Sequence, residues 1–141
     1  MNEVKLLGAN TVKIDKNKRI NIPKFSNIQA DDKLVSRVDP SGNFVIFYPE
    51  EYFEEKSKEI EEELHQDVLN GELTSEEKRK ILRSIGSSFI PPIKVDSHRR
   101  ISLDPEIFEK LKLGRDLYLI ANDNNTLELY KDEDTYKRIK S

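Results

Sequence analysis

The chain has no cysteine, no tryptophan, one methionine and only five glycines in 141 residues. Without cysteine there is no disulfide and no thiolate zinc site, and a reducing compartment is expected. The few glycines form no Gly-x-Gly-x-x-Gly, P-loop or nucleophile elbow, so the usual phosphate cradles and acyl-transfer sites are missing. The two histidines, His65 and His98, fall in separate predicted elements, and no His-Glu-x-x-His occurs. A metal site needs several ligands, so neither metal nor cofactor is expected. Carboxylates are plentiful, yet no spacing singles out an acid/base pair, and an enzyme is not expected. No apolar run has the length of a membrane span, and the opening MNEVKLLGAN lacks the apolar core of a signal peptide. These absences predict a cytoplasmic protein with no membrane partner and no small-molecule substrate.

What is present is a repeat. Residues 12–23 read VKIDKNKRINIP, and 81 positions later residues 93–104 read IKVDSHRRISLD. The apolar positions agree, and in both copies Asp is followed four residues on by Arg. The period inside each copy is two. Val12, Ile14, Ile20 and Ile22 share one face, with Thr11, Lys13, Asp15, Arg19 and Asn21 on the other. Ile93, Val95, Ile101 and Leu103 match the first set, and Lys94, Asp96, Arg100 and Ser102 the second. Alternation of this kind marks half-buried strands. Each copy therefore predicts a two-stranded ribbon closed by Lys16-Asn17-Lys18 or Ser97-His98-Arg99. Asn17 and His98, types enriched at positive φ, are the expected turn residues.

Charge is unevenly spread. The net charge is −3, with 35% hydrophobic and 36% charged residues. Yet residues 11–24 hold Lys13, Lys16, Lys18, Arg19 and Lys24 against Asp15, a local +4. Residues 94–103 hold Lys94, Arg99 and Arg100 against Asp96, a local +2. Residues 50–63 carry eight glutamates and two lysines, a local −6. Screening acts over about 8–10 Å at ordinary salt, so a basic patch can meet a polyanion on an otherwise acidic protein.

Along the chain, residues 25–32 predict a short helix or turn, and residues 33–38 and 44–48 a hairpin about the Asp39-Pro40-Ser41-Gly42-Asn43 turn. Pro49 starts a helix with Glu50, Glu51, Glu54 and Glu55 near its positive end. Phe53, Ile60, Leu64 and Val68 form its stripe, with Phe53 and Ile60 expected in the core, and Asn70-Gly71 ends it. His65 is expected on its surface. Thr74 and Glu77 predict a capping box for a helix closed by Gly86. Pro91-Pro92 is expected to separate the copies. The second copy follows with a helix at 105–111, strands at 117–120 and 127–130, and a helix at 132–139. Tyr48 and Tyr130 match at an offset of 82, one inserted residue. Residues 1–71 form the first unit, 72–88 a connecting helix and 89–141 the second. Neither unit has strands enough to bury its own apolar face, so the two interleave as one compact α+β barrel with pseudo-twofold symmetry.

The residues now on the page resemble the MraZ family, tandem members of the AbrB/SpoVT-type swapped-hairpin superfamily. Leu7-Gly8, Asp15-Lys-Asn-Lys-Arg19, Asp96-Ser-His-Arg-Arg100, Ile46-Phe-Tyr-Pro-Glu-Glu-Tyr52, Leu113-Gly114 and Leu127-Glu-Leu-Tyr130 carry the resemblance, which covers nearly the whole chain. Lys18 and Arg99 stand where the family often has glycine, and each adds a positive charge. The resemblance implies two AbrB-like swapped-hairpin repeats in a double-split β-barrel with peripheral helices. It implies a bacterial transcriptional regulator that is nucleoid-associated and forms ring-like homo-oligomers. Such proteins bind repeated promoter boxes of the division and cell-wall gene cluster.

Two readings of Arg19 and Arg100 stand side by side. In one they reach double-stranded DNA, where the guanidinium fork grips a phosphate or the O6/N7 edge of guanine. In the other they pair with Asp15 and Asp96 and hold the turns shut. Both hold together if the aspartates orient the arginines. Lys13, Lys16, Lys18, Lys94 and Arg99 are expected at phosphates, and His98 is a further candidate contact. The alternative function is a protein-interaction module, such as an antitoxin-like protein of the same fold.

Overall fold

The computed structural model describes residues 5–87 and 89–140. Among them run β1 (Leu6–Lys13), β2 (Arg19–Asn21), β3 (Lys33–Val38), β4 (Phe44–Pro49), α1 (Glu50–Leu69), α2 (Ser75–Ser87), β5 (Ile90–Lys94), β6 (Arg100–Ser102), α3 (Pro105–Leu111), β7 (Asp116–Asn122), β8 (Leu127–Tyr130) and α4 (Glu133–Lys140). The fold is α+β. Six strands form one antiparallel sheet in the order β1-β7-β8-β4-β3-β5, and β2 with β6 forms a separate two-stranded ribbon.

That order reads the same when the two halves of the chain are exchanged: β1 with β5, β7 with β3, β8 with β4. The ribbon obeys the same exchange. Ile20 faces Ile101, while Arg19 faces Ser102 and Asn21 faces Arg100. The strands flanking each charged turn therefore do not pair with one another as the alternation alone suggests. β1 pairs with β7 of the other half, β5 pairs with β3, and β2 pairs with β6. The reason is burial. Val12, Ile20, Ile22, Val95, Ile101 and Leu103 are at most 8% exposed, which an isolated hairpin cannot achieve. Each fully buried Ile contributes roughly 2 kcal/mol relative to exposure.

Register also refines the correspondence between the copies. Val12 faces Leu117 and Ile93 faces Leu34, so β3 and β7 match at an offset of 83, against 81 for the charged turns. Tyr48 and Tyr130 return to 82. The second copy thus gains two residues before β7 and loses one in the next turn, rather than carrying a single insertion. The two extra residues explain a local difference. In the second copy the segment completes α3, with Asp104 capping Glu106 N–H at 2.8 Å, Pro105 at the start and Lys112 closing it at φ 52. In the first copy the shorter segment makes turns, Ser26 N–H to Pro23 C=O at 3.1 Å and Asp32 N–H to Gln29 C=O at 3.2 Å.

Pro91 and Pro92 lie inside β5 rather than between elements. β5 is an edge strand, and its register with β3 shifts between Leu34 and Ser36, opposite the two prolines, so the missing N–H donors fall at the sheet edge and at an irregularity in the ladder. Gly8 in β1 passes close to Phe25, whose ring a Cβ there would approach to 2.7 Å. The capping box forms as the residues predict: Glu77 N–H donates to Thr74 Oγ1 and Thr74 N–H to Glu77 Oε1, both at 3.1 Å. Helix α1 begins after Pro49 and ends at Asn70, but none of its residues is buried. Phe53 and Ile60 are half-buried rather than core: the helix lies against α2, β3 and β4, and Phe53 packs on the Phe89 ring, 4.5 Å between centroids, without any residue of the helix being enclosed. No helix among the described residues is long and apolar enough to cross a membrane.

Candidate nucleic-acid interface

Each charged turn is organised by its aspartate. The Asp15 carbonyl accepts from Lys18 N–H at 3.0 Å, and Asp15 N–H donates to Arg19 C=O at 2.9 Å. Its Oδ1 accepts from Asn17 N–H at 2.8 Å and Arg19 N–H at 2.9 Å, and its Oδ2 accepts from Arg19 Nε at 3.1 Å. Asp96 repeats every bond: Oδ1 accepts from His98 N–H at 2.9 Å and Arg100 N–H at 2.8 Å, and Oδ2 from Arg100 Nε at 2.9 Å. Aspartate suits this place because one short carboxylate takes two backbone donors and a side-chain donor at once. The left-handed position is the residue after the expected one. Lys18 has φ 59 and Arg99 φ 57, so the positive φ falls on a lysine and an arginine, not on Asn17 and His98.

Both arginines thus have Nε committed to a carboxylate, and their Nη groups have no partner among the described residues. The orienting and reaching roles are compatible in one side chain. The Arg19 and Arg100 side chains are each 27% exposed. They stand on one face of the β2–β6 ribbon, at diagonal positions, a separation of about 7–8 Å. The opposite face carries Ile20 and Ile101 into the core. Lys18 lies level with Leu103 and Arg99 with Ile22. The two turns therefore leave opposite ends of the ribbon, on the order of 14 Å apart along it.

The hydrogen bonds to Asp15, that of Arg19 N–H first, hold its carboxyl below the usual value of 3.8. For Asp96 partial desolvation pulls upward, and the bonds from Arg100 and His98 outweigh it, so the net direction is again down from 3.8. A depressed carboxylate contributes stability that is present above the unfolded value and is lost as pH falls through the folded one. Both turns should stay closed through neutral and mildly acidic pH and open only below about pH 3.8. Carbon-detected NMR titration of the two carboxyls should place both midpoints under that value. Midpoints at or above it would remove the aspartates from turn closure.

The other predicted residues divide. Lys13 and Lys16 are exposed and make no ion pair among the described residues. His98 is exposed at the second tip. Lys94 is exposed and pairs with Asp31 at 3.4 Å, a surface contact of little energy. Lys18 and Arg99 point across to the other copy. The Lys18 ammonium sits over the Phe108 ring, 4.8 Å from its centroid. Arg99 Nε donates to Ile28 C=O at 3.1 Å, and its Nη2 to Pro23, Ser26 and Ile28 C=O at 3.2, 3.2 and 2.8 Å. Arg99 therefore braces the fold from within: its Nε and Nη2 are spent on backbone carbonyls of a turn segment that has no helix to satisfy them. Where Lys18 reaches, α3 satisfies its own.

Asn21 and Ser102 were not among the expected contacts. Both are exposed and complete the outer face of the ribbon with Arg19 and Arg100. The alternation placed them on the polar face, but only the β2–β6 pairing brings them together. Searches found neither a protein-family model nor a curated protein that matches this chain.

Proposed function

We propose that the β2–β6 ribbon is a double-stranded DNA reader, and that the protein is an MraZ-like, sequence-specific transcriptional regulator with no enzymatic activity. In this reading the sheet and ribbon together make a double-split barrel of two AbrB-like swapped hairpins. The observation that carries the reading is the pair of aspartate-oriented arginines on one exposed ribbon face, with their Nη groups unspent. A two-stranded ribbon fits the B-DNA major groove, about 12 Å wide, and guanidinium can there address guanine edges or phosphates. Lys13 and Lys16 beside the first tip, and Lys94 and His98 near the second, are placed for phosphates on either side. A nucleoid-associated location follows from such binding.

Self-association belongs to the same proposal. α1 and α2 bury no residue, and Leu69 and Ile81 are 65% and 36% exposed. Copies joined through these helices, in a ring, would present several ribbons to repeated boxes, and linked weak sites gain avidity without new contacts. The alternative, a protein-interaction module, draws on the largely apolar hollow of about 210 Å³ lined by Tyr48, Tyr52, Phe53, Lys56, Ile60 and Phe89.

Salt separates the two. Phosphate neutralisation releases counterions, so binding of a labelled duplex should fall linearly on a log–log salt plot, with a slope of roughly −3 or steeper for about four phosphate contacts. A flat plot would contradict a phosphate-anchored ribbon.

A further inference from the structure

The ribbon is symmetric in backbone and asymmetric in chemistry. Exchanging the halves carries Arg19 onto Arg100, like onto like, but carries Asn21 onto Ser102. On the outer face, then, the two arginines are equivalent and this one pair is not. Ile22 N–H donates to Arg99 C=O and Leu103 N–H to Lys18 C=O, so by alternation Asn21 and Arg100 oppose each other at a non-hydrogen-bonded position. Side chains approach most closely at such positions. Asn21 is exposed, and its amide has no hydrogen-bond partner among the described residues.

We infer that Asn21 is a specificity-determining residue that reads adenine beside the base met by Arg100, and that Ser102 leaves the corresponding position in the other half unread. The inference rests on the DNA-binding reading above. Its chemistry is that of the carboxamide. One amide offers a donor and an acceptor in a plane, which matches N6 and N7 of adenine in the major groove. A serine hydroxyl offers one short rotor and accepts either partner, so it discriminates little. Opposed to an arginine, Asn21 makes an Arg–Asn pair in one half of the ribbon, whereas the other half holds Arg–Ser. A ribbon built this way reads a box with a direction, not a palindrome.

The experiment is selection of duplexes from a random pool by three proteins: wild type, Asn21→Ser and Ser102→Asn. Wild type should enrich a box with adenine specified in one half only. Asn21→Ser should lose roughly tenfold of that adenine preference, the discrimination carried by a bidentate contact, and keep its affinity for unselected duplex. Ser102→Asn should gain adenine at the mirror position and make the box palindromic. If wild type enriches a box that Asn21→Ser leaves unchanged, the assignment of Asn21 falls and the DNA reading stands. If wild type enriches nothing and binds no duplex, both fall.

Discussion

Replacing Arg19 and Arg100 together by alanine should reduce affinity for duplex DNA by roughly 100-fold or more, from two charged contacts of about 1.5–3 kcal/mol each. The fold should survive. Each side chain is 27% exposed, and its only side-chain bond among the described residues is to Asp15 or Asp96 within its own turn. The hydrophobic side of the same strands, Ile20 and Ile101, is untouched. Ion pairs that stay in reach of water contribute about 1 kcal/mol or less each, so the thermal transition should move by several degrees while the fold persists. Binding followed by fluorescence anisotropy, with circular dichroism as the control, measures both. Each single variant should lose part of the affinity, since either arginine alone still addresses the groove. Full affinity in the double variant would leave the aspartate–arginine pairs with only the task of closing turns.

Arg99→Ala should be the costly substitution for stability among the tip residues, by about 2 kcal/mol or more, while Lys18→Ala costs less than about 1 kcal/mol. The two residues occupy matching left-handed positions, so the difference lies in what they reach. Arg99 serves three carbonyls, of Pro23, Ser26 and Ile28, that have no helix to pair with. Removing it takes the side-chain donor from the Ser26 and Ile28 carbonyls, while Pro23 C=O keeps the N–H of Ser26. Lys18 lies over the Phe108 ring, where α3 pairs its own backbone and the cation only rests on an aromatic face. Urea denaturation of the two variants compares them directly. Equal costs would mean that the shorter segment at residues 23–28 does not depend on the brace.

Much of this was readable from residues whose signals are local. The β3–β4 hairpin about Asp39 to Asn43, the start of α1 after Pro49, the Thr74–Glu77 capping box and α3 behind Asp104-Pro105 all rest on neighbours within a few positions. Pairing was less accessible. Alternation says which side chains share a face but not which strand lies alongside, and only the failure of either half to bury Ile20 or Ile101 alone pointed to exchange. The stripe of Phe53 and Ile60 was amphipathic without naming a cover, and in this chain little covers it. For the site, Asp15, Arg19, Asp96 and Arg100 come together as their spacing suggests. Arg99 does not join them, because its αL backbone aims the side chain across the ribbon. Asn21 and Ser102 gain meaning from a partner strand roughly eighty residues away, which no local pattern reveals.

On the proposed function, one face of the β2–β6 ribbon meets DNA. The direct measurement is a titration of isotopically labelled protein with duplex DNA, followed by backbone amide and arginine Nε resonances. Shifts should concentrate at residues 13–21 and 94–102, with the Arg19 and Arg100 Nε signals among the largest. Shifts confined to α1 and α2, with both arginine signals unmoved, would contradict it.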